Sequence, residues 1–403
     1  MAKRSIPKGL FDYIDGAAEG EVTKAANRRA FDDLALRPRL GTGWHVPDLS
    51  TTVAGVKVSL PVLLAPCGLV QVMHPDGVVG TARAAREAGT ISVLSTFAGP
   101  PPEVLSAEPG PRWFQLYAAD RAATEDLVGR AQASGYDALV ITMDSVTSGN
   151  RTQDSRSGEA AALTLNIRNA ARLVPQLAIR PRWLLRMATT TLKAITDPTL
   201  KDTGADAAPP SAPQRPDAPT QNSASPHSVA LRRVSPFTWE DVAWIRSQWR
   251  GPLIVKSILS ATDAIAAVEA GADAIIVSNH GGRVIDGVPA TLTVLPEIVA
   301  AVAGRADVLL DSGVRRGSDV VKALALGARA VLIGRPFLYG LAADGQAGVT
   351  SILELFRTDI ARTLTLMGCP SVADLDTSWV QPMQRTFPHD DAESDPREHK
   401  LVG

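Results

Sequence analysis

The segment IIVSNHGGRVIDG, residues 276–288, ends an apolar run with residue types that can do acid–base and anion-binding chemistry. His280 can exchange a proton near neutral pH, and the guanidinium of Arg283 can hold an anion. The two glycines between them allow the turn that both side chains need in order to face one substrate. A polar loop at a strand end is the simpler interpretation, so the choice depends on where the fold places this segment.

A histidine that acts as a base needs a carboxylate to fix its tautomer and stabilise the imidazolium. Asp144, two residues after Thr142 in the apolar run ALVITMD, is the candidate for that partner. Arg151, in TSGNRTQD, is a second arginine expected near the same site. Two arginines beside one base indicate an anionic substrate, and a planar carboxylate matches the guanidinium fork.

Eight short apolar runs, rich in Val, Ile and Leu, would position these side chains. Runs without polar alternation are typical of strands buried on both faces, as in a parallel sheet. Most runs precede a helical pattern, and several of these patterns open with a Ser, Thr or Asp cap and close with Gly. The runs are PVLLAP (61–66), TISVLS (90–95), WFQLY (113–117), ALVITMD (138–144), PLIVK (252–256), AIIVSN (274–279), DVLLD (307–311) and AVLIG (330–334).

This alternation predicts the α/β fold class, and within it a (β/α)8 TIM barrel. An open doubly wound sheet is the structural alternative. That fold would carry a G-x-G-x-x-G loop after its first strand, and APCGLVQVMHPDG has none.

In a TIM barrel the chemistry lies at the carboxyl ends of the strands. Nearly every predicted strand ends in a polar or charged residue, which is hard to explain as a set of solvent-facing caps. The residues at these ends are Pro66, Cys67, Gly68, Ser95, Gln115, Tyr117, Thr142, Asp144, Lys256, Ser278, His280, Asp311, Gly334 and Arg335.

The last two strand ends indicate a phosphate site. LLDSGVRRGSDVVKALALGA and VLIGRPFLYG supply glycine-rich turns, helix starts, and the arginines Arg315 and Arg335. Backbone N–H groups at a helix start bind phosphate in many barrels. Ordinary glycine turns with surface arginines are the alternative interpretation.

Lys256, at the end of the fifth strand, has three possible roles. It could form a Schiff base, as in barrel aldolases, or face a cofactor that gains negative charge. It could also serve only in a salt bridge.

One connection is far longer than the others. About a hundred residues separate Asp144 from Pro252. The part at 173–195 is amphipathic, 201–228 is rich in Pro, Ala, Ser and Asp and is predicted to be disordered, and SPFTWEDVAWIRSQW predicts a capped helix. We expect a single domain with an N-terminal cap (1–55), a barrel (56–345), a lid insertion (145–235), and a C-terminal helix and tail (346–403). Contact of the insertion with a membrane or a partner is the alternative to a lid.

The composition disfavours several function classes. The 403 residues carry 41 Lys and Arg against 42 Asp and Glu, a balance that does not favour a nucleic-acid partner. Cys67 and Cys369 do not form a disulfide framework, and the sequence has neither a secretory h-region nor an 18-residue apolar stretch. We therefore expect a cytoplasmic protein.

Several blocks together resemble the FMN-dependent 2-hydroxy acid oxidases and dehydrogenases, which include glycolate oxidase, lactate oxidase and monooxygenase, and mandelate dehydrogenase. The blocks are SNHGGR, LLDSGVRRGSDVVKALALGARAVLIGRP, HPDGVVGTARAAREAGT, WFQLY and PLIVK. The resemblance runs from about Pro7 to about Gly368, apart from the insertion.

The resemblance implies roles for the residues at the strand ends. His280 would be the base and Asp144 its partner, while Arg151 and Arg283 would bind the substrate carboxylate. Tyr13, in FDYIDG, and Tyr117 would contact the substrate. FMN would be held by Pro66, Cys67 and Gly68 near N5, by Ser95, Gln115 and Thr142 at the ring, by Lys256 near N1 and O2, by Ser278, Asp311 and Ser312, and by Gly313, Arg315, Gly334 and Arg335 at the phosphate. Ser312 stands where the family commonly has glycine.

The activity implied is oxidation of an L-2-hydroxy acid of the lactate, mandelate or glycolate type to the 2-oxo acid, with FMN reoxidised by oxygen, a quinone or a carrier protein. Family members are often homotetramers. RPRWLLRM and TWEDVAWIRSQWRGP are also similar to the mycofactocin-maturing branch, which oxidises an amine-bearing lactam derived from a peptide. The intact arginine pair favours a free carboxylate. Two further hypotheses are a Schiff-base lyase that uses Lys256 and a flavin-binding protein without turnover.

Overall fold

The structure, a computed structural model, describes residues 1–43, 46–118, 120–144, 147, 149–151, 180–196 and 236–383, with only the backbone for 189–196. Its strands are β1 (Leu34–Leu36), β2 (Thr51–Val53), β3 (Val56–Val58), β4 (Val62–Leu64), β5 (Ser92–Ser95), β6 (Arg112–Leu116), β7 (Ala138–Thr142), β8 (Leu253–Ile258), β9 (Ala274–Val277), β10 (Asp307–Leu310), β11 (Ala330–Ile333) and β12 (Val380–Pro382).

The α-helices surround these strands. They are α1 (Ala2–Ser5), α2 (Lys8–Asp15), α3 (Val22–Asp32), α4 (Val70–Met73), α5 (Gly77–Glu87), α6 (Arg121–Ala133), α7 (Pro181–Thr196), α8 (Trp239–Gln248), α9 (Ala261–Glu269), α10 (Thr291–Val302), α11 (Gly317–Ala325) and α12 (Arg335–Met367), the last broken at Asp344 and Gly345. Short 3-10 turns cover Pro102–Leu105, Val372–Asp374 and Thr377–Trp379.

Strands β4 to β11 form a closed barrel of eight parallel strands in chain order. The predicted (β/α)8 fold is therefore confirmed, and each barrel strand overlaps one of the eight apolar runs. The strands are buried on both faces because one set of side chains fills the barrel and the alternate set packs against the helices. The interior set includes Leu63, Val93, Trp113, Val140, Ile254, Ile276, Leu309 and Leu332.

The amino-terminal end of the barrel is closed by the antiparallel hairpin of β2 and β3. Val53 and Val58 of this hairpin pack into the interior core, and the Ala54 N–H donates to the Asp307 carboxylate at 2.8 Å. The opposite end, where the parallel strands finish, is thereby left for the site.

The described part of the long connection agrees with two expectations. Thr238 caps α8 through a capping box with Asp241, as the motif SPFTWEDVAWIRSQW predicts. Helix α7 overlaps the expected amphipathic segment at 173–195 and ends one residue after it. Arg180, just before this helix, donates to the Ile6 carbonyl at 3.2 Å, and Arg186 Nη1 lies 3.1 Å from His74 Nε2. The predicted disorder at 201–228 falls outside the described residues, so it stays a prediction.

None of the helices in the described ranges is long and apolar enough to cross a membrane.

The N-terminal segment is fastened to the loop that follows β9. The Asp286 carboxylate accepts backbone hydrogen bonds from Gly20, Val22 and Thr23 at 3.1, 3.0 and 2.7 Å, so it caps the start of α3. Deeper in the same interface, the amides of Asn27 and Asn279 bond each other in both directions at 2.8 Å. These contacts bring the N-terminal helices to the mouth of the barrel.

We predict that Asp286→Asn lowers the free energy of unfolding by about 1 kcal/mol at neutral pH, because one carboxamide oxygen cannot replace two anionic oxygens at a helix start. Burial alone raises the pKa of Asp286, but the backbone donors of Thr23 and Val22 outweigh it and hold that pKa below its usual value. A lowered folded-state pKa stabilises the protein above the unfolded-state pKa and ceases to do so as the pH falls. The difference between variant and wild type in urea denaturation should therefore shrink below about pH 4.

The matched control for this prediction is Asp32→Asn, which removes a solvent-exposed ion pair with Arg28 in the same helix, at 3.7 Å. It should change the free energy of unfolding by less than about 0.5 kcal/mol. Equal losses in the two variants would show that the cap is not what Asp286 contributes.

Candidate active site

A cleft of about 1100 Å³, open mouth included, lies at the carboxyl ends of the barrel strands. Of the site residues predicted from the sequence, only Asp144 and Ser278 do not line it, and both contact residues that do. The lining contains Tyr13, Pro66, Cys67, Gly68, Ser95, Gln115, Tyr117, Thr142, Arg151, Lys256, His280, Arg283, Asp311, Ser312, Gly313, Arg315, Gly334 and Arg335.

His280 and Asp144 form a pair at the mouth of β7 and β9. His280 Nδ1 lies 3.3 Å from Asp144 Oδ1. Burial raises the pKa of Asp144, but the charge and hydrogen bond of His280, with help from Lys256, more than reverse this and hold that pKa well below its usual range. Asp144 stays ionised, so its carboxylate accepts a hydrogen bond from the Nδ1–H of His280. Nε2 is then the unprotonated, basic nitrogen of the imidazole.

Lys256 lies in β8 with its side chain only 3% exposed and its ammonium group engaged in the polar interior. Nζ donates to Ser278 Oγ at 2.9 Å and lies 3.4 Å from Asp311 Oδ2. A Schiff-base amine needs a free lone pair on Nζ, whereas here Nζ donates a hydrogen bond and is paired with a carboxylate. The geometry therefore supports a fixed positive charge inside the cleft.

The two predicted substrate arginines lie close to one aromatic ring. The guanidinium carbons of Arg283 and Arg151 are 4.7 and 5.4 Å from the Tyr13 ring centroid. Arg283 Nη1 also donates to the carbonyls of Tyr13 and Gly16, at 2.7 and 2.8 Å. The end of α2 therefore sets the orientation of the guanidinium that faces the cleft.

Gly149 explains how the segment that carries Arg151 can pass close to Arg283. A side chain at position 149 would place its Cβ 2.2 Å from the Arg283 carbonyl oxygen, so only glycine allows the two segments to pass this closely. The Glu19 N–H also donates to the Asn150 carbonyl at 2.8 Å, which ties the start of the insertion to the N-terminal segment.

Sequence reasoning missed one member of an aromatic pair that lines the cleft. Phe97 lines the cleft and stacks on Tyr117, with ring centroids 5.0 Å apart and planes inclined by 24°. Its signal was present, since Phe97 follows Ser95 by two residues at a strand end. Ile14, Thr147, Val284 and Leu338 also line the cleft and were not predicted.

Cys67 lines the cleft with a thiol that burial keeps in its protonated form. Burial raises the pKa of its thiol to about 12, so the reactive thiolate is scarce.

Three guanidinium groups, those of Arg283, Arg315 and Arg335, line the same cleft. Arg335 is buried, and its side chain donates to the carbonyls of Ile14, Gly281 and Gly16 at 3.0, 3.0 and 2.7 Å. Burial, and after it the positive charges of Arg283 and Arg315, lower the pKa of Arg335 to about 10. Three cations that repel one another at one cleft, with Arg335 buried, indicate a site built for an anion.

These residues fit FMN. Gly313, Gly334 and the first turn of α12 offer backbone N–H groups beside Arg315 and Arg335, as a phosphate requires. Toward the other end, the buried Oγ1 of Thr142 has no hydrogen-bond partner within the described ranges, and it lines the same cleft as Gln115. A buried polar atom of this kind fits the polar edge of a flavin ring.

The comparisons with known proteins agree with this fit. The model of the family of FMN-dependent dehydrogenases matches residues 2–382. Glycolate oxidase 1 of Oryza sativa subsp. indica is 40% identical over 378 residues, which covers 93% of this chain and 92% of the relative. Pre-mycofactocin synthase of Mycobacterium tuberculosis strain H37Rv is 42% identical over 380 residues, covering 93% of this chain and 90% of the relative.

A solved structure of the monotopic membrane protein (S)-mandelate dehydrogenase is also similar. It superposes with a TM-score of 0.81 at 35% identity and covers 95% of this chain and 97% of its own. From these matches, which cover nearly the whole chain, we conclude that this protein is an enzyme of the FMN-dependent dehydrogenase family with FMN as its cofactor.

Proposed function

We propose that this enzyme oxidises an L-2-hydroxy acid to the corresponding 2-oxo acid. The observation that carries the proposal is the convergence of one base and two arginines, since the His280–Asp144 pair and the guanidinium groups of Arg151 and Arg283 reach the same cleft. A base and a carboxylate clamp at one site match a molecule that carries a hydroxyl next to a carboxylate.

Each residue has a defined part in this reaction. Arg151 and Arg283 bind the substrate carboxylate and thereby orient the hydroxyl toward His280. His280 Nε2 takes the hydroxyl proton, and ionised Asp144 stabilises the imidazolium that results. FMN, when bound, would supply the acceptor for the two electrons and the hydrogen that the α-carbon loses, while the hydroxyl proton goes to His280. Lys256 keeps a positive charge inside the cleft, where negative charge develops during the reaction.

The second candidate is oxidation of an amine-bearing, peptide-derived substrate. It is supported by the 42% identity to pre-mycofactocin synthase. The Arg151 and Arg283 pair around Tyr13 favours the carboxylate substrate, because an amine or lactam offers these two cations no negative charge.

The proposal also covers the surroundings of the enzyme. We propose a cytoplasmic homotetramer whose FMN is reoxidised by oxygen, a quinone or a carrier protein. For the insertion we propose a lid, which the contacts of Arg180 and Arg186 with the main body support. Peripheral membrane contact is the alternative role, supported by the exposed Leu184 and Leu185 of α7.

The proposal is tested by anaerobic titration of the purified FMN-loaded protein with lactate, mandelate and glycolate, followed by admission of air. Bleaching of the flavin absorbance by at least one of these acids is expected. A flavin that none of them reduces would contradict the proposal. Reduction by an amine alone would support the second candidate, and reoxidation in air would identify oxygen as an acceptor.

We predict that His280→Gln retains bound FMN but reduces it with substrate about 10²- to 10⁴-fold more slowly, because the glutamine amide cannot take a proton. The measurement is the rate of flavin bleaching after rapid anaerobic mixing. His74→Gln is the control, since His74 lies outside the cleft against Arg186. Reduction at the wild-type rate in His280→Gln would refute the role of His280 as base.

We predict that Arg283→Lys raises the substrate concentration for half-maximal reduction by about 10- to 100-fold, since an ammonium group cannot form the two parallel bonds of a guanidinium with a carboxylate. The control is Arg329→Lys at an exposed ion pair with Asp307. An unchanged concentration dependence in Arg283→Lys would mean that the substrate carboxylate binds elsewhere.

A further inference from the structure

Ser312 adopts a backbone conformation that usually belongs to glycine. It follows β10 with φ of +73° and is only 9% exposed. Serine is disfavoured in this left-handed region, because its Cβ crowds the backbone. A buried serine there needs a compensating interaction, and the surroundings of its hydroxyl supply two.

The Ser312 hydroxyl bridges two strand ends. It donates to Asp311 Oδ1 at 2.6 Å and accepts the Gly281 N–H at 2.9 Å. Gly281 directly follows His280, which is itself left-handed with φ of +56°. Ser312 therefore fixes the peptide group between His280 and Gly281.

A second serine, Ser278, fixes the peptide group that precedes His280. Ser278 Oγ accepts the His280 N–H at 3.1 Å and a hydrogen bond from the Lys256 ammonium at 2.9 Å. Lys256 in turn lies 3.4 Å from Asp311 Oδ2. The polar contacts thus run in a closed ring, from Lys256 through Ser278, the His280 loop and Ser312 to Asp311 and back to Lys256.

We propose that Ser312 is a positioning residue that fixes the His280 loop and couples it to the Lys256–Asp311 charge pair. The catalytic part of this inference rests on the proposed function, because it takes His280 as the base. The alternative is that Ser312 only fills space, in which case glycine, the residue best suited to its φ, would serve equally well or better.

Two substitutions separate these possibilities. Ser312→Ala removes both hydrogen bonds and keeps the unfavourable φ, whereas Ser312→Gly removes the bonds and relieves the backbone, so its folding is secure. Ala303→Gly is the matched control, since Ala303 is exposed with φ of +51° at the end of α10, away from the cleft.

Two measurements on the FMN-loaded protein are needed for each variant. Hydrogen–deuterium exchange of a peptide that spans 278–284 reports on the loop without any turnover. Rapid anaerobic mixing with a 2-hydroxy acid gives the limiting rate of flavin reduction separately from substrate affinity. A residue that contributes only to overall stability would not lower the limiting rate of flavin reduction while leaving substrate affinity unchanged.

We expect both Ser312 variants to exchange faster in this peptide and to lower the limiting rate about 3- to 10-fold, with substrate affinity unchanged, as the loss of such hydrogen bonds predicts. Ala303→Gly should match wild type in both measurements.

Wild-type exchange and wild-type reduction in Ser312→Gly would overturn the proposal, whatever Ser312→Ala does. If no 2-hydroxy acid reduces the wild-type flavin, the proposed function fails, and the exchange measurement still decides whether Ser312 fixes the loop.

Discussion

The hydrogen bonds between β11 and β4 close the barrel, with Val331, Leu332 and Ile333 opposite Val62, Leu63 and Leu64. Because all eight strands are parallel, closure brings every carboxyl end to the same mouth. Residues as distant in sequence as Pro66 and Arg335 thus line one cleft. An open sheet would leave these ends along an edge, where a base and two arginines could not surround one small molecule.

The chemistry of the cleft then depends on how its buried charges are compensated. Lys256 forms an ion pair with Asp311, and the Asp144 carboxylate lies within hydrogen-bond distance of His280, so each of these buried charges has a polar partner. The arginines are different, because Arg283 and Arg335 bond mostly to backbone carbonyls and keep their net charge. The cleft therefore retains positive charge, which suits both a cofactor phosphate and a substrate carboxylate.

The barrel strands and the position of the cleft could be predicted from the sequence, because both depend on patterns within short segments. Unbroken apolar runs located the barrel strands, and the polar residue after each run located the cleft. The predicted ends of the strands were less accurate, since β9 ends at Val277 whereas the apolar run AIIVSN continues to Asn279. The hydrogen bonds of the sheet, rather than the apolar pattern, decide where a strand stops.

The remaining features depend on contacts between distant segments. No periodicity indicates that the carbonyls of Ile14 and Gly16 would hold Arg335, or that Asp286 would cap α3. The left-handed φ of Ser312 is equally invisible, because the sequence shows only a serine where glycine is common in the family. Tyr13 could be placed in the sequence only by resemblance, and the structure places its ring beside the two guanidinium groups.

The central claim is that one molecule contacts the base and both arginines together. The most direct measurement is a crystal structure of the FMN-loaded enzyme with a bound 2-oxo acid. We predict a carboxylate held by Arg151 and Arg283 and a keto oxygen within about 3.2 Å of His280 Nε2. A carboxylate bound away from these arginines, or a keto oxygen beyond reach of His280, would contradict it.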